Sequence, residues 1–482
     1  MLNSPSNVVE PNLGTLSVDK PERMLDGFPW ITAIVLYTLS WGWSLIRPNT
    51  LYWDDWSHIF NQRSSYTHSV AKNQGLPPWS KTLDWFFLAV GNWTIPIAVF
   101  VAFFIAGLLC FGILKSMTFI RGNQLNIILL IYLVVPVNHA RISRICFDYT
   151  SSYFLFYLGW FVMVRWKSLE SFTTACVILF LSFKTHSFLL FALLPFLHFA
   201  WLNKTELLDF KKLNRRHLQI TMIAALPVLY VVSRSLFWPP SESWQDYQQP
   251  TAAGFLTGLW PVLIGLLGLL IVGLRHIRKK QTHVGFVLIV SGFLITALAL
   301  FPYFLAELYV GYAGRPAFIT VLEFRADWRS RHQLLMPLGL ALSVVGLNEL
   351  LKWKGKNIVV SVILIISVAL NMFWGSQYFL QSLKQEKIVE LLNATKNEIA
   401  IASLGDQTLR FNGRENDFRG YEWNGFMTLA GISTDRPGCE ALPEGSTLVL
   451  KSDKPYLSAL ISRDLGLYFD ITPCSEVLAK DS

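Results

Sequence analysis

Charge is what this sequence has least of. Only 15% of its 482 residues are Asp, Glu, Lys or Arg, against about 25% in an ordinary soluble domain. That scarcity excludes a disordered chain, a coiled coil and a string of soluble domains. Cysteine is sparse too: there are five, and no two stand in C-x-x-C spacing, which leaves no zinc ribbon and no thioredoxin-type redox centre. No P-loop, G-x-S-x-G elbow or H-E-x-x-H motif occurs, so the sequence does not read as an ATP-driven pump or as a membrane protease of those types. Residues 1–27 carry Pro5, Pro11, Gly14 and Pro21 but no apolar core of a cleavable signal peptide. They are expected to form a disordered cytoplasmic N-terminus. Internal repeats and low-complexity tracts are also missing.

What fills the sequence is apolar and aromatic. Hydrophobic residues make up 52%, with 18 Trp, 35 Phe and 16 Tyr, and the mean hydropathy is +0.40. This is the composition of a polytopic membrane protein, with aromatic rings suited to membrane interfaces. The net charge of +9 would suggest nucleic acid in a soluble chain. In a membrane protein it follows from Lys and Arg gathering in cytoplasmic loops, and no nucleic-acid partner is expected.

A helix crossing about 30 Å of hydrocarbon needs about 20 largely apolar residues. Eleven stretches qualify as spans: 28–46, 86–114, 124–138, 149–164, 171–183, 187–201, 218–236, 254–274, 284–306, 333–350 and 357–379. With the N-terminus inside, the inner segments hold 18 Lys and Arg and the outer ones 11, as the positive-inside rule asks. The parity rests on residues 171–203. As one helix they would reach about 50 Å, far beyond the bilayer, so a hairpin turning at Phe183-Lys184-Thr185-His186 is expected. The fold class is therefore an all-α polytopic membrane protein of about eleven transmembrane helices with a small α/β C-terminal domain. The membrane domain covers 28–380, with external loops 47–85, 139–148, 237–253 and 307–332. Residues 381–482 form the extracytoplasmic domain, with strand-like runs at 398–403, 447–451 and 466–471 and a helix-like run at 455–464. Cys439 and Cys474 both fall there, either as a disulfide or as two thiols. Asn393-Ala394-Thr395 matches a glycosylation sequon whose meaning depends on the host.

Four clusters carry candidate chemistry. Tyr52-Trp53-Asp54-Asp55-Trp56 sets two adjacent carboxylates between aromatic rings, and both the like charge and the apolar surroundings raise a carboxyl pKa. The pair suits a general base or a metal ligand; a helix cap among interfacial rings is the plainer account. Residues 138–149 gather His139, Arg141, Arg144 and Asp148, and the planar fork of arginine suits phosphate, although a loop snorkelling its cations to headgroups has the same composition. Lys184 and His186 stand in the tight hairpin, where an ionisable residue near the membrane is a functional candidate. Arg325, Arg329, Arg331 and His332 lead into the tenth span on the external side, against the positive-inside trend. Glu242 and Asp246 have no partner legible in the sequence.

This constellation resembles the GT-C superfamily of integral-membrane glycosyltransferases. The likeness lies in a cytoplasmic N-terminus, one span, an Asp-Asp pair in the first external loop, ten or more spans and an external C-terminal domain. The resemblance implies a polyprenyl- or dolichyl-phosphate sugar donor, a glycan or glycolipid acceptor such as lipopolysaccharide, and no nucleotide cofactor. It implies that Asp54 or Asp55 is the catalytic base or part of a metal site, that Asp148 assists, and that Arg331-His332 meets the lipid phosphate. A divalent cation, Mg or Mn, at Asp54 and Asp148 belongs to the same implication. Arg141, Arg144, Lys184, His186 and Arg329 join the candidates for binding the donor phosphate. The expected reaction is an inverting transfer of one sugar at the outer face of the cell inner (plasma) membrane. Two other functions stay open: a polymerase or ligase of lipid-linked polysaccharide, which depends on external Arg and His, and a lipid-linked sugar transporter or flippase.

Overall fold

The computed structural model describes residues 26–53, 55–56, 71–166, 168–207, 215–241, 252–277, 283–305, 330–331, 333–351, 356–395, 420–432 and 446–473. The described chain is helical apart from one short ladder of strands. Helices α1 (Trp30–Trp41), α2 (Thr82–Val90), α3 (Thr94–Lys115), α4 (Gly122–Val134) and α5 (Phe147–Arg165) come first. They are followed by α6 (Leu169–Ser182) and α7 (Phe188–Leu202). Then come α8 (Arg215–Phe237), α9 (Ala252–Ile277), α10 (Val284–Leu305), α11 (Met336–Leu350) and α12 (Lys356–Thr395). The C-terminal part holds α13 (Gly420–Leu429), β1 (Ser446–Ser452), α14 (Tyr456–Ser462) and β2 (Leu467–Pro473). Five of the helices, α3, α8, α9, α10 and α12, are long and apolar enough to cross a bilayer, and α4, α6, α7 and α11 are shorter apolar helices. Leu229, Val232 and Leu236 on α8 and Leu256, Ile264 and Leu267 on α9 point outward, the surface that hydrocarbon covers at no cost.

Two expected boundaries differ. The stretch 86–114 is not one span, because Gly91 takes φ +145° and breaks it. The hydroxyl of Thr94 then donates to the carbonyls of Phe87 (2.9 Å) and Gly91 (2.7 Å), satisfying the end of α2. α2 is thus separate and exposes Phe86 and Val90. Residue 380 is no boundary either: α12 runs unbroken for 40 residues, about 60 Å at 1.5 Å per residue. Its C-terminal end carries Ile388 and Leu392 into an apolar cluster with Trp56, Trp423, Phe426 and Leu467. The tail therefore rests on a continuation of the last long helix and on the first loop. β1 and β2 pair antiparallel, Ser446 opposite Pro473 and Ser452 opposite Leu467. The expected strand at 398–403, Cys439 and Cys474 lie outside the described residues. The turn at 183–187 between α6 and α7 is present as expected.

Small residues let α10 and α11 approach closely. Gly285 and Gly292 on α10 face Gly346 and Gly339 on α11, and a Cβ on Gly292 would lie 2.6 Å from the Gly339 carbonyl oxygen. Backbone cannot give way there, so Gly292→Leu should destabilise the protein by about 3 kcal/mol through overpacking. Gly273→Leu is the control, since nothing lies within 4 Å of its Cβ position. Thermal unfolding of the two variants in detergent should show a clear loss for the first alone; equal melting temperatures would refute this crossing.

Candidate functional site

The chain between α4 and α5 does not form a loose loop. After Val134 it reaches Asn138 at φ +58°, a left-handed conformation that Asn tolerates better than most residues. Two 3-10 turns follow, His139–Ile142 and Arg144–Cys146, and His139, Ala140, Arg141, Ile142, Arg144 and Cys146 are all buried. Gln333 accepts the backbone N–H of Asn138 on its Oε1 at 2.9 Å, and the Ser330 hydroxyl accepts that of Ala140 at 2.7 Å. The segment before α11 thereby buttresses the turns. Arg331 lies beside the Tyr149 hydroxyl at the start of α5.

Asp55 ties the first loop to these turns. It is 0% exposed. One carboxylate oxygen accepts from the Ser143 hydroxyl (2.7 Å) and the Ile145 N–H (2.9 Å), and the other from the Tyr52 N–H (3.0 Å). Burial pushes its carboxyl above the usual range, against the pull of those three hydrogen bonds and of Arg144. The Tyr52–Asp55 bond closes the turn around Trp53, and the other oxygen fastens that turn to Ser143 and Ile145. Trp53 sits at φ +52° and packs edge-on to Tyr378 of α12, while Trp56 packs on Phe426 of the tail.

Arg141 is 3% exposed and lies between two rings, its guanidinium carbon 3.4 Å from the Trp41 ring centre and 3.7 Å from that of Phe103. The rings cover the two faces of the guanidinium and favour its charge. Both terminal nitrogens are buried without a hydrogen-bond partner among the described residues. Arg144, 2% exposed, is similar: Nη2 donates to the Pro48 carbonyl at 3.4 Å, while Nε and Nη1 have no partner. Arg144 lies in the field of the Asp55 carboxylate, whereas the Arg141 charge meets only its two rings and neighbouring tyrosines; guanidinium donors left open in this way are chemically able to take an anion. Beside them, His139 Nε2 meets Asn371 Oδ1 at 3.0 Å, and Asn371 Nδ2 donates to the Val134 carbonyl at 2.6 Å. That second bond turns the Asn371 oxygen toward His139, so Nε2 carries the proton and Nδ1 is a buried, unpartnered acceptor. Burial, with Arg141 adding to it, pushes this imidazole down to about 3.

The remaining candidates are arranged differently. Asp148 and Lys184 find each other, Nζ to Oδ1 at 3.1 Å, and Lys184 also donates to the Ser80 carbonyl at 3.1 Å. The Lys184 charge is therefore balanced inside the chain, and the pair fastens the hairpin to the start of α5 and to the end of the first loop. His186 stands apart, 6.0 Å from the Tyr230 ring. Asp54, Arg325, Arg329 and His332 lie outside the described residues. Among the described residues no group of three or more His, Cys, Asp or Glu comes together. Asp148 is held by Lys184 and both Asp55 oxygens are taken by donors; the expected cation site at Asp54 and Asp148 falls in part outside the described residues. Sequence reasoning missed Trp41, Phe103, Asn371, Ser330 and Gln333. Asn371 had a signal, as a lone amide within an apolar run; Phe103 had none, because nothing separates it from the other rings of its helix. Compared with known proteins, the chain matches no family model, no curated protein and no solved structure.

Proposed function

We propose that this chain is a membrane glycosyltransferase of the GT-C kind. In this reading about eleven spans cross the cell inner membrane with the N-terminus in the cytoplasm, and a small α/β domain follows on the outer side. One sugar passes from a polyprenyl-phosphate donor to an extracytoplasmic glycan or glycolipid, lipopolysaccharide among them. The observation that carries the reading is the pair Arg141 and Arg144, buried at the ends of apolar helices with guanidinium donors unsatisfied. Phosphate accepts such donors in bidentate fashion, and a lipid phosphate is an anion that a bilayer delivers to that depth.

Asp54 takes the proton of the acceptor hydroxyl, whose oxygen attacks the anomeric carbon through an oxocarbenium-like state. The bond from that carbon to the phosphate oxygen breaks on the opposite face, inverting the centre, and its electron pair leaves on the phosphate. Arg141 and Arg144 stabilise the charge that develops there. The driving force is the sugar–phosphate bond, so no nucleotide enters.

A polymerase or ligase of lipid-linked polysaccharide is the second reading, favoured by the enclosure of the Asp55 carboxylate and by the open His139 Nδ1 and arginine donors among the described residues. The two separate on Asp54→Asn. Membranes supplied with labelled polyprenyl-phosphate hexose and cell-envelope acceptor should lose transfer by about 100-fold or more in this variant. Unchanged transfer at equal expression would favour the polymerase.

A further inference from the structure

Helix α2 turns an apolar face away from the rest of the chain. Phe86 and Val90 are 58% and 56% exposed, and Thr82 and Ala89 are exposed beside them. At helical spacing these residues share one side of α2, and the Thr82 hydroxyl is the one polar side-chain group among them. The other side is engaged. Phe87 meets the Phe147 ring edge-on at 5.3 Å and borders the small cluster of Ile95, Val99 and Phe147. α2 is therefore seated on the first residue of α5, just before Asp148.

What covers the outward face is legible in its continuation. Past the break at Gly91, Trp93 is exposed, and Ile97, Val101 and Ile105 carry the same exposed row along α3, a helix long and apolar enough to cross a bilayer. Outside the bundle such a helix meets acyl chains, so the row on α3 is a lipid-facing one. Trp93 stands where the row passes from one helix to the other, and tryptophan settles at the boundary between headgroups and hydrocarbon. α2 itself has nine residues, about 14 Å of helix at 1.5 Å per residue, which is half of what a crossing needs. A helix of a second copy would find no straight track here, because the row bends where Gly91 takes φ +145°. Fluid lipid follows the bend. We propose that α2 is an in-plane membrane anchor, sunk into the headgroup–acyl boundary of the leaflet where α3 begins, with Phe86, Val90 and Trp93 on lipid chains. The apolar faces of helices of this kind reach roughly 5–10 Å into the boundary. Through Phe87 and Phe147 the lipid surface then sets the height of the start of α5 and of the turns that precede it. The anchor is independent of sugar transfer.

The test replaces Phe86, Phe87, Val90, Ile105 or Asn393, one at a time, with the photoreactive residue p-benzoyl-phenylalanine in the full-length protein. Each variant is irradiated in phosphatidylcholine vesicles and its adducts are identified by mass. Ile105 is the lipid-facing reference on α3, and Asn393, exposed near the C-terminal end of α12, is the reference beyond the apolar run. Reporters at Phe86 and Val90 should take acyl-chain adducts about as often as Ile105 and about tenfold more often than Asn393. The reporter at Phe87 should crosslink within the chain, to the start of α5. Lipid adducts at Phe86 and Val90 as rare as at Asn393 would overturn the anchor, and so would crosslinked pairs of chains at those positions, the mark of a second copy on this face. Equal lipid labelling at Phe86, Phe87 and Val90 would also overturn it, since α2 would then have no inner side.

Discussion

Arg141→Met should cut sugar transfer by about 10²–10³-fold, the usual effect of removing one donor aimed at charge developing in a transition state, while leaving the protein at least as stable as before. The two expectations pull apart for a physical reason. Arg141 is buried with both terminal nitrogens unpartnered, and a buried charge without a carboxylate is a burden on the folded state. Replacing such a charge with an apolar side chain of similar volume is often neutral or stabilising by about 1–4 kcal/mol. The rings of Trp41 and Phe103 return part of the burden, about 1–2 kcal/mol, so the gain should be small. Arg141→Lys tests the fork: a point charge cannot bind two oxygens in one plane, and transfer should recover only in part. Kinetics in membranes together with thermal melts in detergent decide it. A melting temperature that collapses in Arg141→Met would show a residue needed for folding and remove the main support for an anion site.

Asp55→Ala should destabilise the protein strongly, because three buried donors depend on its carboxylate. It strands the amides of Tyr52 and Ile145 and the hydroxyl of Ser143, and an unsatisfied buried donor costs about 1–3 kcal/mol. A loss of roughly 3–5 kcal/mol follows, because the Ser143 hydroxyl can turn to another acceptor while the two amides cannot. Damage should spread to the tail, since the next residue, Trp56, packs on Phe426 and leaves no room for a side chain at Gly425. Limited proteolysis should release the tail sooner in Asp55→Ala, and the melting temperature should fall by several degrees. Asp55→Asn keeps the shape and one acceptor oxygen, so it should fall less. An Asn variant that melts like the unaltered protein yet transfers no sugar would instead make Asp55 the base.

The apolar runs marked their helices in the sequence because hydropathy is additive along a segment and needs no knowledge of neighbours. The turn at Lys184 followed from helix length together with the side on which the basic segment 204–216 falls, and the tail elements at Ser446–Ser452, Tyr456–Ser462 and Leu467–Pro473 followed from local pattern. The break at Gly91 was hidden inside an apolar run, since what turns the chain is one positive φ and a threonine hydroxyl. The continuation of α12 past residue 380 was also hidden: the helix becomes polar where it leaves the apolar core, which reads as a boundary and is only a change of surroundings.

Composition and pattern by themselves determined that this is a helical membrane protein, and that arginine, histidine and aspartate gather between its apolar segments. Which of those groups pair and which stay free was decided by tertiary structure alone. Lys184 lies 36 residues from Asp148 and Asn371 lies 232 from His139, and no local rule relates positions so far apart. Only when the helices pack does Asp148 acquire a cation, Asp55 three donors and Arg141 two rings with no acceptor. Whether a buried charge finds a partner within the chain depends on side chains that only the packing of distant helices brings to it.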